Sequence, residues 1–250
     1  MSHEIRDTVI TLTLSSAGGK CPARLIWSAR ESGCLIWCRS RCYRRRMSSS
    51  ADEYWNHNTA FHPRLLRAAR RARGPVLDVG CGDGLLVSKL ARTGVSVIGL
   101  DVDDTAVNAA RSRCSDLPNV DVRQVGFLDA PLSEDSFALI TMVATLHHMD
   151  GRLALRRAAG LLRPGGELFI VGIPRLASRA DFRWATSQLP RARIVGRVRA
   201  EHWPQGIPTA PSDLTLSEVR AIAAEVLPGA HVKRASYYRY ALRWTRPQTG

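Results

Sequence analysis

With 250 residues and an apolar content of 45%, the chain can bury one large α/β core or two small ones. No apolar run approaches the roughly 18 residues of a membrane span, and Glu4 and Asp7 precede only a short mixed run, unlike a secretory signal, so a cytoplasmic protein is expected. The net charge of +14 comes from 33 arginines against 3 lysines with 22 acids, and +6 of it belongs to the first 46 residues, which hold 9 basic and 3 acidic residues. Elsewhere the arginines are scattered, with only RAARRAR (67 to 73) dense, so the charge is a weak argument for a nucleic-acid partner.

Residues 1 to 46 differ from the rest. They hold four of the six cysteines (Cys21, Cys34, Cys38 and Cys42) and two of the six tryptophans, and end in RCYRRR before Met47. On a helix Cys34, Cys38 and Cys42 would share a face, but paired C-x2-4-C knuckles and a neighbouring histidine are missing, so no metal site is assigned. The segment is expected to be a disordered or spurious extension, with a domain over 47 to 250.

From Met47 the chain becomes regular. FHPRLLRAARRA (61 to 72) has helical spacing, with Pro63 suited to a first turn. PVLDVG (75 to 80) predicts a strand, LLVSKLAR (85 to 92) a helix, VSVIGLD (95 to 101) a strand and DDTAVNAARSRC (103 to 114) a helix. NVDVRQV (119 to 125) and FALITMV (137 to 143) are further strands. Asp150 can cap a helix over 151 to 162, and Pro164, Gly165 and Gly166 turn the chain into the strand ELFIVGI (167 to 173). This rhythm argues for a parallel sheet with helices on both faces. After Pro174 it breaks into a basic segment containing Pro and Trp, 175 to 212, expected to be an insertion on the substrate side. Thr215 and Glu218 are spaced as a capping box for TLSEVRAIAAEVL, and HVKRASYYRYALRW (231 to 244) suits two short strands.

The most informative stretch is VLDVGCGDGLL (76 to 86). Dinucleotide enzymes use G-x-G-x-x-G and present a helix N-terminus to a pyrophosphate. Here the glycines are Gly80, Gly82 and Gly84, and Leu85 stands where a dehydrogenase has its third glycine. Asp78 and Asp83 lie in the loop without a basic residue, which would repel a diphosphate. No G-K-[ST] follows, so a P-loop is excluded. The turn fits a nucleoside whose attached group is uncharged or cationic.

LDVGCGDG resembles motif I of the class I S-adenosylmethionine-dependent methyltransferases, in their small-molecule, bacterial branch. SFALITMVATLHHM (136 to 149) and LLRPGGELFIVG (161 to 172) resemble the family's segments around its fourth and fifth strands. The resemblance covers about residues 54 to 173 and implies a Rossmann-like seven-stranded, mostly parallel sheet with helices on both faces. It implies S-adenosyl-L-methionine as cofactor and methyl transfer to a small-molecule acceptor. The cofactor-binding residues it implies are Asp78, Gly80, Cys81, Gly82, Gly84, Asp101, Val102 and Asp129. Asp78 would lie near the amino-acid portion, the glycines would let the backbone close over the cofactor, and Asp101 would accept bonds from the ribose hydroxyls. An Asp at a strand end is otherwise often a helix cap, a role also open to Asp103 and Asp104.

Two positions depart from the family. The acid that meets the adenine amino group is Gly126 here, with Asp129 three residues on as a substitute, and the usual F-D opening the fourth strand is Phe137-Ala138. These changes keep open a cofactor-binding protein without catalysis, and the arginines keep open an RNA methyltransferase. A general base is required only if the acceptor must lose a proton; His147 and His148 are the candidates, against a packing role beneath the cofactor. The absence of an N-P-P-Y type motif argues against amino methylation of nucleic-acid bases. The acceptor wall is expected from YWNHNTAFH (54 to 62) and the 175 to 212 segment, with Tyr54, Trp55, Trp184 and Trp203 as apolar candidates. His57 and Asn58 sit where the family's leading segment folds over the cofactor, as contacts or as caps.

Overall fold

The computed structural model describes residues 8 to 16, 19 to 27, 34 to 37, 53 to 203 and 212 to 248, the first three stretches by their backbone. The chain divides into two compact units, Met1–Glu53 and Tyr54–Gly250, so the second begins a few residues after Met47. The first unit contains β1 (Thr8–Ser16), β2 (Gly19–Trp27) and β3 (Cys34–Trp37), paired antiparallel in that order. Cys34 therefore opens a strand rather than a helix, while Cys38 and Cys42 lie outside the described residues.

The second unit alternates as expected. In chain order come α1 (His62–Ala72), β4 (Val76–Val79), α2 (Leu85–Ala91), β5 (Val97–Asp101), α3 (Asp104–Arg113), β6 (Val120–Gln124), β7 (Phe137–Val143), α4 (Gly151–Leu161) and β8 (Leu162–Gly172). Then follow α5 (Arg179–Val198), α6 (Leu216–Val226), β9 (His231–Ala235) and β10 (Arg239–Thr245). The seven strands run β6-β5-β4-β7-β8-β10-β9, with only β10 antiparallel to its neighbours. This is the Rossmann-like, mostly parallel sheet implied by the glycine motif.

Alternation within the central strands explains why both faces are covered. Leu77, Val79, Ile140 and Met142 pack beneath Leu155 and Leu161 of α4 and Val219 of α6. Val76 and Leu139 point the other way, into Leu65 of α1, Leu86 of α2 and Val107 of α3. A strand buried on both faces can afford no polar residue without a partner, so the two in this region, Asp78 and Thr141, are bonded to each other.

Two local expectations change. Pro164, Gly165 and Gly166 do not precede β8 but interrupt it, where the pairing with β7 jumps from Phe137↔Leu162 to Leu139↔Glu167. Gly165 has φ +76°, which only glycine adopts readily. Part of the segment after Pro174 is helical: α5 runs for 20 residues with Pro190 in its interior. Its start is fixed by a capping box in which Asp181 N–H donates to Ser178 Oγ and Ser178 N–H donates to Asp181 Oδ2. An interior proline costs a helix about 3 kcal/mol, which the long helix absorbs. The S-x-x-D pattern of Ser178 and Asp181 is the local signal for this helix start.

Candidate functional site

A cavity of about 660 Å³ opens at the carboxyl ends of β4, β5 and β7, the edge where open α/β sheets bind ligands. Its floor is the glycine turn, with Gly80 at φ +69°, Gly82 at +54° and Gly84 at +76°. The first and last are also required by space. A Cβ on Gly80 would lie 2.2 Å from Thr145 Oγ1, and one on Gly84 would lie 2.8 Å from the Ala110 backbone. Gly84 thus lets α2 and α3 approach, and Gly80 lets the turn lie against the chain leaving β7.

The amides of this turn position Asp101. Gly80 and Cys81 N–H both donate to the Leu100 carbonyl at 2.8 and 2.9 Å. Gly82 N–H donates to Asp101 Oδ2 at 2.8 Å, and Asp103 N–H donates to Asp101 Oδ1 at 3.1 Å. Each oxygen is held by one donor and keeps a lone pair for a ligand. Asp101 does not cap α3: Asp103 does, accepting from Ala106 N–H at 2.8 Å.

Asp78 and Asp83 have different surroundings despite their proximity in sequence. Asp78 is buried and accepts from Thr141 Oγ1 at 2.6 Å. Burial pushes its carboxyl up to about 7, against the lowering effect of the Thr141 bond, with Asp101 adding repulsion. Asp83 is neutralised instead. Arg113 of α3 donates to its carboxylate and its backbone carbonyl, both at 2.8 Å, and Tyr54 Oη donates to Oδ1 at 3.0 Å. Burial and the Asp83 charge push the Tyr54 hydroxyl well above its ordinary value. The expectation of a turn without a basic residue is therefore corrected: Arg113 arrives from 30 residues downstream. Cys81 lines the cavity too, with its thiol buried, pushed above its ordinary range by burial, and packed against Gly99.

At the far end of β5, Val102 is 70% exposed on the cavity rim. A Cβ built on Gly126 would lie 3.2 Å from Asp129 Oδ2 and 3.8 Å from Val102 Cγ1. One exposed apolar surface and one carboxylate thus flank the residue where the family acid is missing. The other departure is accommodated by packing. Ala138 is buried, and a Cβ on Gly74 would lie 2.9 Å from its methyl.

His147 and His148 line the cavity from the short 3-10 turn after β7, their ring centroids 4.1 Å apart. The opposite wall combines three distant stretches. His202 N–H donates to the Trp55 carbonyl at 2.9 Å, and His57 stacks on Tyr237 at 5.0 Å and lies 3.3 Å from Glu201. Tyr54 and Trp203 reach the cavity. Trp55 instead packs edge-on to Tyr237, and Trp184 lies beneath the Arg234 guanidinium. Asn58 lines the cavity without capping: Asn56 Oδ1 accepts the amides of Asn58 and Thr59. Sequence reasoning missed Thr141, Arg113, Thr145 and Arg239. Nothing in the pattern separates Arg239 from the chain's other arginines, and Arg113 reads as a favourable helix-end charge.

A family described as a methyltransferase domain matches residues 76 to 166. An uncharacterized methyltransferase of Mycobacterium tuberculosis is 32% identical over 198 residues, spanning 78% of this chain and 99% of the relative. A ubiquinone biosynthesis O-methyltransferase of Mesorhizobium japonicum is 30% identical over 154 residues, covering 52% of this chain and 62% of that protein. Among solved structures, the YcgJ protein of Bacillus subtilis superposes with a TM-score of 0.57 at 19% identity, over 77% of this chain and 100% of that one. A geranyl diphosphate C-methyltransferase of Streptomyces coelicolor gives 0.55 at 13% identity, over 75% and 76%. At such identities the structures share the fold alone.

Proposed function

Since the chain belongs to the class I S-adenosylmethionine-dependent methyltransferases, we propose that it transfers a methyl group to a small-molecule acceptor held between the glycine turn and the aromatic wall of this cavity. The observation that carries the reading is the cavity itself, whose volume of about 660 Å³ lies in the range of about 300 to 1,000 Å³ typical of small-molecule sites. The 30% identity to the ubiquinone biosynthesis O-methyltransferase supports a small acceptor.

The residues present fit the cofactor. Asp101 offers two oriented oxygens to a ribose, Val102 an apolar surface to a planar base, and Asp129 an acceptor to an exocyclic amine. Asp78, Gly80, Cys81, Gly82 and Gly84 line or shape the end suited to the amino-acid portion. When bound, S-adenosylmethionine supplies a sulfonium methyl that needs chiefly an aligned nucleophile. Alignment by the walls can contribute about 7 to 11 kcal/mol. His147 and His148 line the cavity, which supports them as the groups that take a proton from the acceptor where one must leave. We assign the whole site to residues 47 to 250, with the preceding 46 dispensable for binding; a 47 to 250 fragment is expected to match the full chain in calorimetry.

Calorimetry with S-adenosylhomocysteine tests the cofactor half. Asp101→Ala is expected to weaken binding by about tenfold or more, the worth of one or two charge-assisted hydrogen bonds. Equal affinities would remove Asp101 from the ribose site.

A further inference from the structure

Among the described residues Arg239, at the start of β10, is the one arginine or lysine that lines the cavity. It is 6% exposed. Its Nε and Nη2 both donate to Asn58 Oδ1, at 3.0 and 2.8 Å, and Nη1 donates to the Tyr237 carbonyl at 3.1 Å. All three bonds go to neutral oxygens, and a guanidinium has five N–H groups, so two remain. Among the described residues no carboxylate lies within ion-pair distance of it. Glu201 is the acid whose charge it senses, but that carboxylate instead accepts from Trp203 Nε1 at 3.0 Å. A buried guanidinium without a counter-ion is costly, and burial lowers its basicity to about 10. Asn58 and Tyr237 hold it in place at that cost.

We propose that Arg239 is the binding residue for a carboxylate on the methyl acceptor, so that the substrates of this enzyme are small monocarboxylic acids rather than neutral molecules or polyanions. The inference rests on the methyl-transfer reading above and sharpens it. Two free N–H groups on a planar fork match the two oxygens of a carboxylate. The charge balance selects a single negative charge. Asp78, Asp83, Asp101, Asp103 and Asp129 also line the cavity, of which Asp83 is already paired with Arg113, and one guanidinium cannot offset both the remaining acids and a diphosphate or a nucleic-acid backbone. The apolar and aromatic surface beside it, from Tyr54, Met149, Ile173 and Trp203, suits the carbon body of such an acid.

The test uses the full chain, labelled S-adenosylmethionine and a small-molecule extract of the source organism, divided by an anion exchanger at neutral pH into retained and unretained fractions. Label is expected in products from the retained fraction. Arg239→Met should lower that transfer at least a hundredfold and Arg239→Lys by less, while S-adenosylhomocysteine binding by either variant stays within about threefold of wild type. That unchanged binding also reports that the variants fold. Label confined to the unretained fraction, or spread equally over both, overturns the proposal while leaving methyl transfer standing. Parallel loss of S-adenosylhomocysteine affinity in Arg239→Met also overturns it, because the guanidinium then serves the cofactor's own carboxylate. No label in either fraction, with S-adenosylhomocysteine bound, overturns the methyl-transfer reading and the acceptor assignment with it.

Discussion

The floor of the cavity is built around one continuous stretch, Val76 to Asp103, to which Arg113, Asp129 and Thr141 are added, whereas the wall facing it joins only separate residues, Asn58, Glu201 and Arg239, the first and last being 181 residues apart. On the floor, backbone amides do most of the positioning, and three glycines at positive φ make their approach possible. On the wall, side chains position one another: Asn58 holds Arg239, and His57 stacks on Tyr237. A backbone-built site tolerates little change in its glycines and much in its neighbours. A side-chain-built site can be re-cut one residue at a time, which suits the end of a methyltransferase that meets the acceptor.

The floor should therefore fail abruptly. Gly80→Val places a branched side chain where Thr145 already stands and demands a left-handed backbone, which costs about 1 to 2 kcal/mol before any clash. S-adenosylhomocysteine binding is expected to fall at least a hundredfold, with a lowered melting temperature; unchanged calorimetry would show that the turn is not rigid. Arg113→Met leaves Asp83 without its cation and is expected to cost about 2 kcal/mol in urea unfolding, below the 3 to 5 of a fully buried pair. A cost near zero would make the Arg113–Asp83–Tyr54 chain ornamental.

A smaller effect separates the two acids of the turn. The folded-state value of Asp78, about 7, lies above that of an unfolded carboxylate. Between the two, the native state holds a proton that the unfolded state has lost, so this group's contribution to stability falls as pH rises through the window up to about 7. A cationic α-amino group binds the ionised form better, so S-adenosylhomocysteine affinity should climb several-fold from pH 6 to pH 8 and then level. In Asp78→Asn the climb should vanish, as calorimetry at three pH values would show. The smallest change belongs to the wall: Trp203, 44% exposed, should be replaceable by Ala at a stability cost of about 0.5 kcal/mol or less. Its loss should raise the acceptor KM and leave cofactor affinity unchanged; a shift in cofactor affinity instead would place Trp203 on the floor's side.

Alternating apolar runs, capping residues and the glycine turn are local features, and they made the sheet, most helices and the turn itself legible in advance, whereas Arg113 and Thr141, which partner the acids of that turn, were not. The cap formed by Asp150, the capping box of Thr215 and Glu218, and the two tail strands formed as their local patterns require. The helix α5 was not expected, because its basic residues, Pro190 and Trp184 obscure the apolar period, while the cap at Ser178 and Asp181 marks its start. The partnership of Arg113 with Asp83, the bond of Asp78 to Thr141 and the exposure of Arg239 to the cavity carry no local mark. Each depends on which strands lie side by side. By itself the sequence determined the fold and the cofactor, since backbone conformation and burial periodicity are set by near neighbours. Only the tertiary structure decided which charges are cancelled and which one stays open to an acceptor, because that balance is made by residues the chain brings together from far apart.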